Sequence, residues 1–282
     1  MRLIRFGPRG RERPGLLAPD GSLRCVSDHV PDWGGESLAA AVLNRIRRLD
    51  PFALPRVSGR TRLGPPIARP PKFIAIGLNY ADHAHEAGLP IPAEPVVFSK
   101  WTSCLSGPND PILLPHRSRK TDWEIELGVV IGRQARRVDE SQALSHVAGY
   151  CIVNDVSERE WQMERGMTWD KGKGFDTFGP VGPWLVTPDE VRDPQSLDLW
   201  LDLNAEPMQR GNTRTMIFSV ARLISYCSEL MTLEPGDLIT TGTPPGVGMA
   251  RRPEPRYLRA GDVLRLGITG LGEARQVVMA SA

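Results

Sequence analysis

Long apolar runs are absent from the sequence. No stretch approaches the roughly 20 consecutive apolar residues that a membrane helix needs, so we expect no transmembrane segment. The opening run, Met-Arg-Leu-Ile-Arg-Phe-Gly, is too short and too charged for a signal peptide. The formal net charge is only +2 over 282 residues, which argues against nucleic acid or a membrane surface as a partner.

Cysteine and lysine are scarce. The four cysteines form no C-x-x-C pair, which disfavours a disulfide scaffold or a zinc ribbon and favours a reduced, cytoplasmic protein. These cysteines are Cys25, Cys104, Cys151 and Cys227. Only five of the 35 basic residues are lysines, and all five lie between residues 72 and 173, the part of the chain that also holds the acidic strand described below.

Glycine and proline are plentiful, at 28 and 26 residues, which favours many short strands joined by tight turns. The prolines at 65, 66, 70 and 71 predict a stiff linker. We therefore predict a small N-terminal domain over residues 1–68 and a larger domain over residues 69–282. The first should hold a strand near its start, a hairpin about residues 19–22, and a helix capped by Ser37.

Residues 121–133 are the run around which the second region is organised. They are rich in β-branched and aliphatic residues and contain no proline, so they predict a central strand. Glu124 and Glu126 lie two apart, and side chains two apart on a strand point to the same face. Two buried like charges are costly unless one takes up a proton or a cation lies between them. A metal site and a solvated face are both open interpretations of this pair.

A third carboxylate follows a neighbouring strand. Residues 147–153 predict a buried strand, and Asp155 comes just after it, well placed to complete a site begun by Glu124 and Glu126. Three carboxylates without a partnering histidine or cysteine favour Mg²⁺, or else Mn²⁺ or Ca²⁺, over zinc.

A histidine and a carboxylate share one face of a short predicted helix. Asn79 can cap this helix and Gly88 can end it, and His83 and Glu86 lie three residues apart within it. A histidine oriented by a carboxylate is the usual general base that activates water. An ordinary surface pair is the alternative. Prolines at 90, 92 and 95 close the segment, which could serve as a lid.

Two glycine-rich stretches supply further candidates. Lys173, flanked by glycines, could reach an anionic oxygen in a site, or could be an ordinary exposed lysine. The turn over residues 242–248 presents backbone N–H groups and the Thr243 hydroxyl, which could bind a substrate carboxylate or could form only a tight turn. Residues 157–164, which include Gln162, predict a helix.

Taken together, these stretches resemble the fumarylacetoacetate hydrolase family. The matching features are the motif G-x-N-Y-x-x-H-x-x-E at residues 77–86, the E-x-E strand with Asp155, the run 173–177 with 179–183, and the two turns at 235–237 and 242–244. They occur in the family's order and cover residues 72 to about 275. Five such motifs in sequence make the resemblance specific.

The resemblance implies a β-rich α+β fold: a mixed β-sandwich or rolled-sheet catalytic domain with a small N-terminal α/β domain, usually in a homodimer. It implies that Glu124, Glu126 and Asp155 hold the metal. It also implies that His83 and Glu86 activate water from a lid, and that Lys173 stabilises developing negative charge. The residues implied to hold the substrate are Gln162, Thr243, Lys100, Asn79 and Tyr80.

The sequence departs from the family pattern at Trp101, at Glu158 and Glu160, and at Gln276. We expect these changes to touch the pocket wall rather than the metal, and therefore to alter the substrate rather than the reaction. The overall resemblance is to the branch that hydrolyses 2,4-diketo-3-deoxy sugar acids such as L-2,4-diketo-3-deoxyrhamnonate.

The resulting hypothesis is metal-assisted hydrolysis of a carbon–carbon bond in a 2,4-diketo acid, with pyruvate as one product. Oxaloacetate decarboxylation, or a lyase or isomerase reaction such as that of ureidoglycolate lyase, would use the same metal site without an attacking water. A catalytically silent keto-acid-binding protein is a third possibility, against which the presence of both His83 and Glu86 argues.

Overall fold

In the computed structural model, which describes residues 1–166 and 168–281, short strands carry most of the chain. The strands are β1 (Arg2–Phe6), β2 (Arg13–Leu17), β3 (Leu23–Cys25), β4 (Leu63–Gly64), β5 (Phe73–Gly77), β6 (Val96–Ser99), β7 (Leu105–Ser106), β8 (Ile112–Leu114), β9 (Thr121–Asp122), β10 (Ile125–Ile131), β11 (Val147–Asn154), β12 (Ser157–Glu158), β13 (Gly179–Val186), β14 (Asp198–Leu203), β15 (Glu206–Asn212), β16 (Leu238–Thr240), β17 (Val263–Ile268) and β18 (Gly272–Ala280).

The helices are short. They are α1 (Ala40–Arg47), α2 (Ala81–Ala87), α3 (Glu140–Ala143), α4 (Trp169–Lys173) and α5 (Val220–Leu230). A π-helical turn spans Glu160–Glu164, and 3₁₀ turns lie at Gly35–Leu38, Thr102–Cys104, Leu144–His146, Pro188–Glu190, Thr213–Thr215 and Gly248–Ala250. Among the described residues, no helix is both long enough and apolar enough to cross a membrane.

Two mixed sheets form the body of the molecule. The larger follows the order β3-β2-β1-β13-β11-β10-β16-β5-β6, with β4 beside β1 and β7 beside β13. The smaller follows β15-β14-β17-β18-β8. Each sheet contains both antiparallel and parallel pairs; β16 runs parallel to β5, and β18 parallel to β8. The predicted β-rich α+β fold class is confirmed.

Strand β10 is buried along its whole length between β11 and β16. A strand covered on both faces needs a continuous apolar run, which Leu127 to Ile131 supply. The predicted strand over residues 121–133 is correct at its centre, which is β10, but the strand is interrupted. Trp123 and Glu124 separate β10 from β9, and β9 pairs with β12 instead. The β10–β11 register sets Ile125 opposite Asn154. Asp155 therefore falls beside Glu124, whose carbonyl accepts a hydrogen bond from the Asp155 N–H at 2.8 Å.

The first part of the chain joins the same large sheet. Leu3 of β1 pairs with Leu185 of β13, and apolar side chains from both parts form one continuous core. Of the four prolines that predicted a stiff linker, Pro65, Pro66 and Pro70 are buried and Pro71 is exposed. The division into domains at residue 68 stays a prediction.

Local predictions for the first 68 residues differ in outcome. The hairpin about residues 19–22 is confirmed, because β2 and β3 pair antiparallel across it. The predicted helix cap at Ser37 is wrong: Ser37 lies inside a 3₁₀ turn, and the residue that precedes α1 is Ala39, whose side chain has no capping group.

Candidate active site and metal centre

Three buried carboxylates meet where β10 and β11 run side by side. Glu124 precedes β10, Glu126 lies within it, and Asp155 follows β11. One oxygen from each lies within 4.8 Å of the others, and all three side chains are buried. The alternation of residues along the chain and the β10–β11 register together produce this cluster. The alternative of a solvated face does not hold.

Cations compensate two of the three carboxylates. Lys173 Nζ lies 2.7 Å from Glu124 Oε2 and 2.8 Å from Asp155 Oδ2. Lys100 Nζ lies 2.6 Å from Asp155 Oδ1, and Arg159 Nη2 lies 2.6 Å from Glu124 Oε1. Burial acts to raise the pKa of Glu124, but the charges of Lys173 and Arg159 outweigh it and lower that pKa to about 2.

Glu126 is the uncompensated member of the cluster. Its Oε2 accepts hydrogen bonds from the Thr240 hydroxyl at 2.5 Å and from Gly242 N–H at 2.8 Å, and within the described chain it has no cationic side chain in salt-bridge contact. Burial, followed by the neighbouring charges of Asp155 and Glu124, raises the pKa of Glu126 well above its usual value.

This donor set fits a hard divalent cation. Carboxylate oxygens are the ligands that Mg²⁺, Mn²⁺ and Ca²⁺ prefer, and the surplus negative charge on Glu126 is the charge that such a cation would neutralise. Lys173 contacts Glu124 and Asp155, two of the three carboxylates that would hold the ion, so its ammonium group would lie beside the bound ion.

The His83–Glu86 pair lies at the same cavity, on α2. His83 Nδ1 is 3.2 Å from Glu86 Oε2, and both Glu86 oxygens accept from Gly246 N–H at 3.1 Å. Burial acts to raise the pKa of Glu86, but the hydrogen bonds from His83 and Gly246 outweigh it and lower the pKa. The helix ends at Gly88 in the left-handed conformation, as predicted.

Asn79 does not cap this helix; the predicted cap is wrong. Its side chain is buried and forms three hydrogen bonds with backbone, to Phe218 O, Phe218 N–H and Thr241 O. It therefore joins the start of α2 to the segment that follows β16. Tyr80 is also buried, and its hydroxyl has no hydrogen-bond partner among the described residues.

The turn over residues 242–248 is not an open cradle for an anion. Its N–H groups bind the protein's own carboxylates: Gly242 donates to Glu126, Gly246 to Glu86, and Gly248 to Asp122. The Thr243 hydroxyl donates to Ile125 O at 2.8 Å. The turn therefore positions three carboxylates of the candidate site, a role that its glycines alone could not indicate.

Asp122 and Arg159 are site residues that the sequence interpretation missed. Arg159 forms ion pairs with Asp122 at 2.8 Å and with Glu124, and it donates a hydrogen bond to Gln162 Oε1 at 2.9 Å. Asp122 is completely buried and also accepts from Gly248 N–H at 2.6 Å and from Met249 N–H at 3.0 Å. One signal existed in the sequence, since Asp122 alternates with Glu124 and Glu126 at the spacing of two that defines one face of a strand.

Replacing Asp122 with asparagine should lower the free energy of unfolding by about 3–5 kcal/mol, because the buried Arg159 would lose a charged partner and an amide would face backbone N–H donors. Urea denaturation measures this. Glu273→Gln is the control: its ion pair with Arg265 is exposed on both sides and should contribute no more than about 1 kcal/mol. A loss for Asp122→Asn no larger than that of the control would contradict the role of Asp122.

A cavity of about 310 Å³ lies over the carboxylates. Its polar walls contain the His83–Glu86 pair, five other predicted site residues and the missed Arg159. The five predicted residues are Glu124, Glu126, Gln162, Lys173 and Thr243. Asp155 lies behind this wall. Lys100, Asn79 and Tyr80 do not line the cavity, and Lys100 instead reaches Asp155 and the carbonyl of Lys173 from behind.

The departures from the family pattern also lie outside the cavity. Trp101, Glu158, Glu160 and Gln276 are not among its walls, contrary to expectation. Gln276 accepts a hydrogen bond from the Asn154 amide at 2.8 Å, and Asn154 in turn accepts from Glu124 N–H at 3.1 Å. The glutamine at position 276 therefore supports the backbone of the carboxylate cluster.

A family model for the C-terminal part of fumarylacetoacetate (FAA) hydrolase matches residues 72–279. The chain belongs to the fumarylacetoacetate hydrolase family. A Burkholderia multivorans protein named only as a hydrolase is 64% identical over 281 residues, with both chains covered in full.

Two solved structures of this family bear on the chemistry. A 5-carboxymethyl-2-hydroxymuconate delta-isomerase from Mycobacterium smegmatis is 34% identical, with a TM-score of 0.77 and full coverage of both chains. Maleylpyruvate hydrolase from Sphingobium sp. SYK-6, in complex with manganese(II) ion and pyruvate, is 32% identical, also with a TM-score of 0.77 and full coverage of both. The fumarylacetoacetate hydrolase family therefore includes both hydrolases and isomerases with this fold.

Proposed function

We propose that this enzyme hydrolyses a carbon–carbon bond in a 2,4-diketo acid of the acylpyruvate type and releases pyruvate and a second acid. One observation carries the proposal: a single cavity is lined by the His83–Glu86 pair, by Lys173 and by Glu124 and Glu126, with Asp155, the third carboxylate of the cluster, directly behind its wall. A water-activating base and a site for a keto acid are the two parts that such a hydrolysis requires. The similar maleylpyruvate hydrolase, with its manganese and pyruvate, supports the assignment.

The metal that we propose is Mg²⁺, with Mn²⁺ or Ca²⁺ as alternatives, held by Glu124, Glu126 and Asp155. When bound, such a cation supplies Lewis acidity to the 2-keto acid end of the substrate. The ionised state of Glu124, whose pKa is lowered to about 2, suits it to cation binding at neutral pH.

The chain's own residues perform the proton transfers. His83, oriented by Glu86, removes a proton from water, and the hydroxide adds to the C4 carbonyl carbon. The C3–C4 bond then breaks, and its electron pair passes to the pyruvate fragment as an enolate. The Lys173 ammonium group balances that negative charge, and protonated His83 returns a proton to C3.

Gln162 and Thr243 are the residues that we propose for substrate contact at the cavity wall. The Gln162 Oε1 is already bonded to Arg159, which leaves its amide N–H₂ to donate to a carboxylate. Lys100 and Asn79 would act indirectly, by holding Asp155 and the backbone beneath the site. Tyr80, whose hydroxyl lacks a hydrogen-bond partner among the described residues, would likewise act from beneath the substrate site.

An isomerase reaction is the second candidate, because a similar solved structure is a delta-isomerase. Isomerisation, like oxaloacetate decarboxylation, passes through an enolate and needs no attacking water. The His83–Glu86 pair favours hydrolysis. The family resemblance taken alone would favour a 2,4-diketo-3-deoxy sugar acid as substrate, whereas the cavity walls described in the next subsection favour a less polar tail. A cytoplasmic homodimer is also what the resemblance would favour.

The deciding experiment incubates the purified protein with a panel of 2,4-diketo acids and with oxaloacetate, with and without EDTA. We expect loss of the enol absorbance and stoichiometric pyruvate, both abolished by EDTA and restored by Mg²⁺ or Mn²⁺. Pyruvate and CO₂ from oxaloacetate alone would replace the hydrolase assignment with a decarboxylase. A 2-hydroxy-2,4-dienoate is added to the same panel, and its conversion without cleavage would replace the hydrolase assignment with an isomerase.

A further inference from the structure

The outer part of the cavity is apolar. Beyond the carboxylates and the His83–Glu86 pair, its walls include Leu78, Leu89, Phe98, Met163, Trp169 and Met249. These side chains come from five separate segments of the chain, so one amphipathic element does not explain them. A hydrophobic wall in an otherwise polar site indicates that the part of the ligand in contact with it is apolar.

The aromatic part of this wall is specifically built. Phe98 and Trp169 pack edge to face with ring centroids 5.3 Å apart. The indole lies against Gly77, where a Cβ atom would come within 2.2 Å of the Trp169 ring. Only glycine at position 77 therefore leaves room for the ring in this position.

The rim carries apolar side chains that water now contacts. Leu89, Met163 and Met249 are 49%, 38% and 37% exposed, although all three border the same cavity. Exposed apolar groups that converge on one opening from three elements are the pattern of a ligand-binding surface rather than of scattered surface residues.

The polar groups of the cavity have few bonds left for a hydroxylated ligand tail. Arg159 is paired with Asp122, Glu124 and Gln162. The Thr243 hydroxyl donates to Ile125 O and accepts from Gln209. The Gln162 amide N–H₂ remains, but it is proposed above for a carboxylate, so a tail hydroxyl placed against Arg159 or Thr243 would lose its bonds to water without equivalent replacement.

Resting on the proposed function, we infer that the substrate is an acylpyruvate whose acyl tail is apolar, and that Leu89, Met163 and Met249 with the Phe98–Trp169 pair determine this specificity. A hydroxylated tail, such as that of a sugar acid, fits the same head group but not these walls. Arg252, at the outer end, is exposed and donates through Nη1 alone to Ala250 O and Arg251 O, each at 3.2 Å, so it is the group that would favour a second carboxylate in the test below.

The test compares kcat/KM for four diketo acids with a common head: 2,4-dioxopentanoate, 2,4-dioxooctanoate, 8-hydroxy-2,4-dioxooctanoate and 2,4-dioxooctanedioate. We expect the octanoate to exceed its 8-hydroxy analogue and the dioate by roughly tenfold or more, the scale on which apolar pockets discriminate. Met249→Gln should reduce the octanoate/hydroxyoctanoate ratio by about fivefold or more. Met279→Gln is the matched control, since Met279 is 48% exposed on β18, outside the cavity, and should leave the ratio unchanged.

The outcomes separate the two proposals. The inference would be overturned, and the hydrolase assignment left intact, if the enzyme turns over 2,4-dioxopentanoate but shows no preference for the alkyl tail. A preference for the tail with the hydroxyl or with the second carboxylate would have the same consequence. An unchanged ratio in Met249→Gln would overturn the role of the rim. No turnover of any of the four acids would overturn both the inference and the proposed function.

Discussion

Replacing His83 with alanine should lower kcat for acylpyruvate hydrolysis by roughly 10²–10⁴-fold, the usual contribution of a positioned general base. The physical reason is geometric, since His83 lines the cavity and its Nδ1 is held 3.2 Å from Glu86. The other ring nitrogen, Nε2, is left for water. Steady-state kinetics at saturating Mg²⁺, followed by pyruvate release, measures the loss.

His85→Ala is the matched control for this experiment. His85 lies on the same helix two residues further on, is exposed, and does not line the cavity, so its removal should leave kcat unchanged. Mg²⁺ affinity should be unaltered in both variants, because neither histidine touches the carboxylate cluster. A His83→Ala protein that binds Mg²⁺ and retains the native rate would refute the general-base assignment.

Replacing Glu126 with glutamine should have opposite effects on metal binding and on the stability of the metal-free protein. Metal affinity should fall by more than about 100-fold, since even the residues that merely orient metal ligands contribute 10–100-fold. The fold raises the pKa of Glu126. As the pH rises above the usual pKa of a glutamate, the unfolded chain ionises this group more readily than the folded protein does, and the folded protein loses stability. In EDTA at pH 7, the free energy of unfolding should therefore rise by about 1–3 kcal/mol.

Glu124→Gln is the contrasting variant. It should also abolish tight metal binding, but it should lower the stability of the metal-free protein by about 3–5 kcal/mol, because Lys173 and Arg159 would lose a buried charged partner. The pKa of Glu124 is lowered to about 2. The ionised Glu124 of the native protein therefore stabilises the fold at every pH above the usual pKa of a glutamate, and this stabilisation is lost as the pH falls toward 2. Isothermal titration and urea denaturation provide the two readouts. Equal destabilisation by both substitutions would show that Glu126 is compensated after all.

The carboxylate cluster could be predicted from the sequence because its determinants are local. Glu124 and Glu126 converge by the period of two, and Asp155 ends a strand that an apolar run makes recognisable. Antiparallel pairing of β10 with β11 is then enough to bring the three carboxylates together. The His83–Glu86 pair followed equally from the helical period.

The electrostatic environment of the cluster could not be predicted in this way. Arg159 meets Asp122 across 37 residues, Gly248 meets Asp122 across 126, and Asn154 meets Gln276 across 122. No periodicity relates such positions, because they approach only after the sheets have formed. The same reason explains the turn over residues 242–248, whose N–H groups could have bound a ligand but bind Glu86, Glu126 and Asp122 instead.

Residue types and their spacing along single strands and helices were enough to predict the fold class, the family and the candidate residues for the chemistry. How each charge is compensated, and which surface the tail of a substrate would meet, became visible only in the folded chain. There Glu126 has no cationic partner in salt-bridge contact among the described residues, Lys100 lies behind Asp155, and Leu89, Met163 and Met249 form the apolar rim. Compensation and shape depend on distances between segments that are remote in the chain, and folding alone sets those distances.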